Sequence, residues 1–377
     1  MMDQAPIFSQ SFALFKDSSK SSASWLYFEG PFVPIAEPQR SKAPMLYLND
    51  FFLSRHQPWL RADRLLSIDS AKLKSVVRKI PRADLKFDWK IADKKNFFEN
   101  FEKVRRAILR GELEKAVPIA FESAESCLPQ QLLIPSLIEK ILELSEDSAY
   151  RHLKPYVVFY EKRLIVGLTP ETLFKSRDGI HFETHALAGT QRPIMSHHEA
   201  DSSNLLFDEN AVSLLSAKTA WEHELVVDGL LADIKFSLGA TVQLKERRIL
   251  KLKHLWHLET PLNFDLDPAM SMNLDFNYLI KVLHPSSALG LFPKNLRTKK
   301  LLYEIRENYD THFFGAPIGY SCNGQTELLV AIRNLYFERE HVMLASGCGI
   351  TSESDFEDEW SEGQAKRNSV KRMLCQD

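Results

Sequence analysis

The spacing of apolar positions changes several times along this chain, and each change predicts an element. Short apolar runs at 25–28 and 45–48, broken by Pro and Gly, read as strands, but the serine-rich stretch 18–24 leaves the first ninety or so residues hard to parse. Over 97–109, Phe98, Phe101, Ile108 and Leu109 recur at roughly helical spacing, and Gly111 ends the pattern. Residues 115–120 (KAVPIA) predict a strand, which Pro118 confines to an edge or an irregular position. A second helix is predicted over 135–144, with Pro135 in its first turn.

From Tyr156 the runs shorten into hairpins at 156–160, 164–168, 173–175 and 179–186. A helix is expected over 210–231, strands over 242–257, and helices over 274–283 and 296–309. The clearest hairpin flanks Asn323-Gly324, with strands at 318–322 and 327–335. A further strand at 341–345 leads into the glycine loop Ser346-Gly-Cys-Gly-Ile350, and a last helix covers 355–374. Strand pairs mixed with helices, without strict alternation, predict an α+β fold.

Composition narrows the function. The chain has 377 residues, 44% hydrophobic and 26% charged, which suits an ordinary soluble globular protein. A formal net charge of -2 argues against nucleic acid as the main partner. Four separated cysteines without a CxxC pair argue against a zinc ribbon and for a reducing compartment. The N-terminus lacks a basic start followed by an apolar core, and no run is long enough to cross a bilayer. A cytoplasmic protein, with no membrane partner and monomeric by default, is expected.

Several polar groups stand in apolar surroundings. Lys115 opens a strand, where burial would favour the free amine of a base, although a snorkelling strand-end lysine has the same pattern. Glu171 is fixed by Pro170 in a turn between apolar strands and could act as a general acid if desolvated. The turn Leu187-Ala-Gly-Thr190 permits close approach of a ligand. Glu222 or Glu224, on an apolar helix, could help hold a divalent cation through oxygen ligands, and no HExxH zinc pattern follows His223. Glu359, Glu362 and Lys366 lie at i, i+3 and i+7, one narrow stripe of a helix. His284 ends a helical pattern, and Arg333 sits on an apolar strand, where a buried guanidinium needs an anion.

Taken in order, these segments resemble the chorismate-utilising enzymes, which include isochorismate synthase, salicylate synthase and the large subunits of anthranilate and aminodeoxychorismate synthase. The matching segments are KAVPIA (115–120), GLTPETLF (167–174), ALAGT (186–190), WEHELVVD (221–228), LHPSSALG (283–290), FGAPIGY (314–320), AIR (331–333), SGCGI (346–350) and EWSEGQAK (359–366). The resemblance implies one large α+β domain of layered antiparallel sheets with flanking helices. Residues 95–377 would form the chorismate-binding region, and 1–94 a divergent N-terminal part of the same fold.

The resemblance also implies roles. Chorismate would bind with one Mg²⁺, held by Glu222 and Glu362 with Glu359 beside them. Arg333, Lys366 and the backbone at Gly347 would receive the enolpyruvyl carboxylate, and Thr190 and His284 would line the ring pocket. Glu171 would protonate the departing C4 hydroxyl, and Lys115 would activate water for attack at C2. Ammonia-using members carry glutamine where this chain has Lys115, and aminodeoxychorismate synthase a nucleophilic lysine where it has Ala188. An isochorismate synthase is therefore expected, serving menaquinone formation as the more general use of its product. A salicylate synthase or an inactive chorismate-binding relative are the alternatives. Departures from the family pattern fall at Ala120, Ser287, Cys348 (alanine in the family) and Gly363 (threonine in the family).

Overall fold

The computed structural model describes residues 8, 10–18, 23–37, 43–191, 216–252, 255–267, 275–306 and 313–375. Two antiparallel sheets stack with helices over both outer faces, so the expected α+β class and layered sheets are borne out. One sheet has eight strands, in the order Arg64–Asp69, Ser24–Glu29, Phe12–Lys16, Lys154–Tyr160, Arg163–Thr169, Asn334–Glu338, His341–Gly347 and Ile119–Glu125. The other has ten. Its main path runs Thr241–Leu244, Leu255–Asp265, His181–Gln191, Thr172–Ser176, Gln325–Val330, Pro317–Cys322, Met45–Leu48, Trp59–Arg61 and Val33–Ile35. Arg248–Leu252 pairs beside Leu255–Asp265.

Strand alternation builds three cores. Ala13, Phe15, Leu26 and Phe28 face the gap between the sheets and meet Leu46, Leu48, Ile318 and Tyr320. Their neighbours Phe12, Leu14, Trp25 and Tyr27 face outward, under helices α1 (Ser70–Val77), α3 (Gln130–Glu146) and α7 (Phe356–Leu374). On the ten-stranded sheet, Tyr47, Phe174, Phe264 and Leu328 pack under α2 (Lys94–Leu109), α4 (Ala217–Leu238), α5 (Phe276–Leu283) and α6 (Leu296–Arg306). Each fully buried large side chain contributes roughly 1.5–3 kcal/mol, so central strands with two buried faces anchor the stack. Residues within the first seventy supply strands to both sheets. Among the described residues, no helix is long and apolar enough to cross a membrane.

Several predicted boundaries shift for physical reasons. Helix α3 starts at Gln130, so Pro135 lies inside it rather than in its first turn. Helix α4 runs from Ala217, capped by Ser216, to Gly239, whose φ of 60° ends it. The expected start at 210–215, like the expected end of α6 at 307–309, lies outside the described residues. Pro118 splits the 115–120 strand, so that Lys115–Ala116 pairs with Leu291–Phe292 and Ile119–Glu125 joins the eight-stranded sheet.

The most consequential difference concerns 327–335. This is not one strand but two, Gln325–Val330 in the ten-stranded sheet and Asn334–Glu338 in the eight-stranded sheet. The chain crosses between sheets through Arg333, held at φ 54°. A parallel crossing, between Arg163–Thr169 and Thr172–Ser176, carries Glu171. Val330 N–H donates to the Glu171 carbonyl (3.1 Å) and Leu168 N–H to the Arg333 carbonyl (3.2 Å), tying the two crossings together.

Candidate active site

A recess of about 660 Å³, counting its open mouth, sits at these crossings. Its lining includes Glu171, Thr190, Glu222, Arg333, Gly347 and Lys366. A second recess, at the opposite end of the ten-stranded sheet, contains none of the candidate residues. Two pairs of its charges meet one another, Lys175–Glu183 (2.7 Å) and His181–Asp178 (2.6 Å).

Lys115 is fully buried on its two-residue strand, which the glycine loop covers through paired backbone bonds between Ala116 and Ile350 (2.9 and 3.2 Å). A Cβ on Gly349 would stand 2.1 Å from Glu222 Oε1 and 2.5 Å from Lys115 Cε, so glycine alone admits both side chains. Lys115 Nζ lies 3.1 Å from Glu222 Oε1, an ion pair that leaves it without a hydrogen bond among the described residues. Glu224, the alternative on the same helix, instead pairs with Arg247.

Glu171 is buried, and burial pushes its carboxyl up to about 7, against the opposing charge of Lys115 and the Ser286 hydroxyl at 3.5 Å. At neutral pH a large share of it carries a proton. Lys115 and Glu171 thus act on each other electrostatically at one site.

The stripe on α7 brings the remaining charges. Burial, then the charge of Glu362, raises the Glu359 carboxyl to about 7, with Lys218 opposing and Glu222 adding to the rise. Oxygens of Glu359 and Glu362 lie within 4.8 Å of each other and of Cys348 Sγ. Lys366 pairs with Glu362 (2.7 Å) and donates to the Gly347 carbonyl (2.9 Å). Burial works to lower the Lys366 ammonium, but the Glu362 carboxylate holds it well above its ordinary value. Burial brings Arg333 down to about 10, still a cation at neutral pH. Carboxylates that repel one another this strongly suit a hard divalent cation with oxygen ligands, and Glu222, Glu359 and Glu362 could hold one.

The sequence profile of the chorismate binding enzymes matches residues 2–375. The chain belongs to that family. It is 28% identical over 212 residues to the salicylate biosynthesis isochorismate synthase of Pseudomonas aeruginosa, covering 55% of this chain and 41% of that one. It is 25% identical over 296 residues to anthranilate synthase component 1 of Acinetobacter calcoaceticus, covering 74% and 54%. The chain spans about half the length of the curated relatives it matches. The solved menaquinone-specific isochorismate synthase of Escherichia coli superposes with a TM-score of 0.72 at 19% identity, over 100% of this chain and 92% of the other, and so shares the fold.

Lys115, Glu359 and Glu362 stand behind the recess lining, tied to it through Glu222 and Lys366, whereas His284 sits elsewhere. His284 does not line the recess: its Nε2 donates to the Phe51 carbonyl (2.8 Å), its ring meets the Phe51 ring edge-on, and burial lowers its pKa to about 3. A buried neutral histidine serves packing there. Three residues not singled out in the sequence do belong to the site, namely His257 on the recess wall, Ser286 beside Glu171, and Lys218, paired with Glu359. Lys218 stands one helical turn before Glu222, which is the signal that could have found it.

Two departures from the family pattern explain each other. A Cβ on Gly363 would stand 3.3 Å from Cys348 Sγ, so the missing side chain at 363 makes room for the larger one at 348. Cys348 Sγ in turn donates to the Glu359 carbonyl at 3.2 Å.

Proposed function

We propose that this chain is an isochorismate synthase, converting chorismate to isochorismate by adding water at C2 as the C4 hydroxyl departs. One observation carries the reading: Glu171, a buried carboxyl raised to about 7, lines the recess, and the fully buried Lys115 behind that lining acts on it electrostatically while pairing with Glu222 of the recess wall, its Nζ making no hydrogen bond among the described residues. Hydroxide is a poor leaving group, and Glu171 would supply the proton that lets it go as water. Water is a poor nucleophile, and Lys115, as the free amine, would accept its proton during attack. One water enters and one leaves, so the atoms balance and the reaction is an isomerisation.

Binding follows the same logic. Arg333 and Lys366 offer cationic donors to a ligand carboxylate. A Mg²⁺ ion held by Glu222, Glu359 and Glu362 would neutralise the second carboxylate, the one on the ring. The names of relatives support isochorismate formation, and Lys115, where ammonia-using members carry glutamine, favours water over ammonia.

Incubation of the purified protein with chorismate and Mg²⁺, followed by chromatography, tests the proposal. Isochorismate is the expected product. Salicylate with pyruvate would move the assignment to a salicylate synthase, and anthranilate formed with added ammonium would remove the case for water. Use of the product in menaquinone formation is proposed with it; a deletion strain that keeps its menaquinone would exclude that use.

A further inference from the structure

Arg333, His257 and Thr190 form a line of polar contacts along one wall of the recess. Arg333 Nη2 stands 3.3 Å from His257 Nε2, and His257 Nδ1 stands 3.1 Å from Thr190 Oγ1. Imidazole contacts of this kind are usually ambiguous, because either nitrogen can carry the proton. Here the guanidinium removes the ambiguity: it has donors only, so Nε2 must be the acceptor. His257 is buried, and the charged groups acting on it, Arg333 and Lys366, are both cations. Burial first, then those two charges, hold the imidazolium well out of reach at neutral pH. A neutral ring with its lone pair on Nε2 carries its hydrogen on Nδ1, and that N–H donates to Thr190 Oγ1. The hydroxyl hydrogen of Thr190 then has no acceptor among the described residues, and Thr190 lines the recess.

We infer that His257 is a positioning residue that fixes Thr190 as a hydrogen-bond donor toward the recess, so that this wall takes a group that only accepts, such as a carboxylate. Arg333 and Lys366 beside it are cationic donors, and the Thr190 oxygen keeps only one lone pair free, so this wall favours a carboxylate over an ammonium or amide N–H. The identity of the bound carboxylate rests on the function proposed above. The hydrogen on Nδ1 does not.

Two measurements test the inference. Long-range ¹H–¹⁵N spectra of ligand-free protein labelled in its histidine side chains, with the His257 signals assigned by His257→Asn, should show a protonated Nδ1 and an unprotonated Nε2 from pH 6 to 8. A hydrogen on Nε2, or an imidazolium in that range, overturns it. In a Glu171→Gln background that blocks turnover, Thr190→Val and His257→Gln should each weaken chorismate binding about tenfold by calorimetry. The two changes combined should do no worse than either alone, because both remove one donor. His257→Asn, whose amide N–H can stand where Nδ1–H stood, should bind within about threefold of its parent. Additive losses, or an Asn variant as weak as the Gln variant, overturn the inference. If chorismate fails to bind the Glu171→Gln parent, the proposed substrate is wrong while the spectra still decide the proton position.

Discussion

Replacing Glu171 by Gln should separate stability from activity, with opposite signs. The carboxyl is displaced from 4.5 to about 7, chiefly by burial. At 1.36 kcal/mol per decade, holding it ionised in the folded protein costs about 3 kcal/mol. The sign follows from proton binding. Because the folded state holds the proton more tightly, no penalty exists below pH 4.5, it grows as pH rises, and it is complete above about 7. Glutamine keeps the shape without the ionisation, so Glu171→Gln should match wild type at pH 4.5 and gain up to about 3 kcal/mol at pH 8. With an unfolding entropy near 2.1 cal/mol/K per residue, that is roughly 4 °C in Tm. Turnover should fall by about 10²–10⁴, the usual worth of a positioned acid, and wild-type turnover should decline as pH rises through about 7. Thermal melts of both proteins across this range, with initial rates on chorismate, make the check. A stability difference independent of pH, or turnover sustained in the Gln variant, would refute the reasoning.

Lys115→Ala should abolish ring hydration while chorismate still binds, and it should raise the Glu171 pKa further, read by direct titration of that carboxyl, since the Lys115 charge opposes the rise; binding lost together with turnover would contradict this. Glu362→Gln should weaken the Mg²⁺ response and turnover together, read as activity against Mg²⁺ concentration, and an unchanged response would place the cation elsewhere. Glu122→Ala would leave Arg367, fully buried and 2.8 Å from Glu122, with the Ser346 hydroxyl but no carboxylate to balance its charge; a loss of about 3–5 kcal/mol in denaturant unfolding is expected. Gly363→Thr should cost about 1–3 kcal/mol by crowding Cys348, and adding Cys348→Ala should recover most of it; strict additivity in the double variant would show that the two sites do not touch.

Elements with a single buried face were legible before any coordinates. Helices α2 and α7 show apolar spacing, and Asp93 and Asp355 cap their starts. The Asn323-Gly324 turn announces its positive φ values, 52° and 82°. The N-terminal strands were obscure because both faces are buried: FALF and WLYF read as plain apolar runs without alternation. Of the site, the residue types at 115, 171, 222, 333, 362 and 366 could be named, but not that two sheet crossings would bring Glu171 and Arg333 to one recess. Residue 333 looked like mid-strand because a single apolar run hides a change of sheet. His284 misled through its place in a recognisable segment, while His257, inside an equally apolar strand, carried no local mark of facing a cavity.

The most direct test of the central claim, water attack at C2 set up by Lys115 and Glu171, is to run the reaction in ¹⁸O-labelled water and locate the label by mass spectrometry. One ¹⁸O in the C2 hydroxyl of isochorismate, absent with Lys115→Ala, is the predicted result. Isochorismate without label at C2, or chorismate left unchanged by the Mg²⁺-supplied wild-type protein, would contradict it.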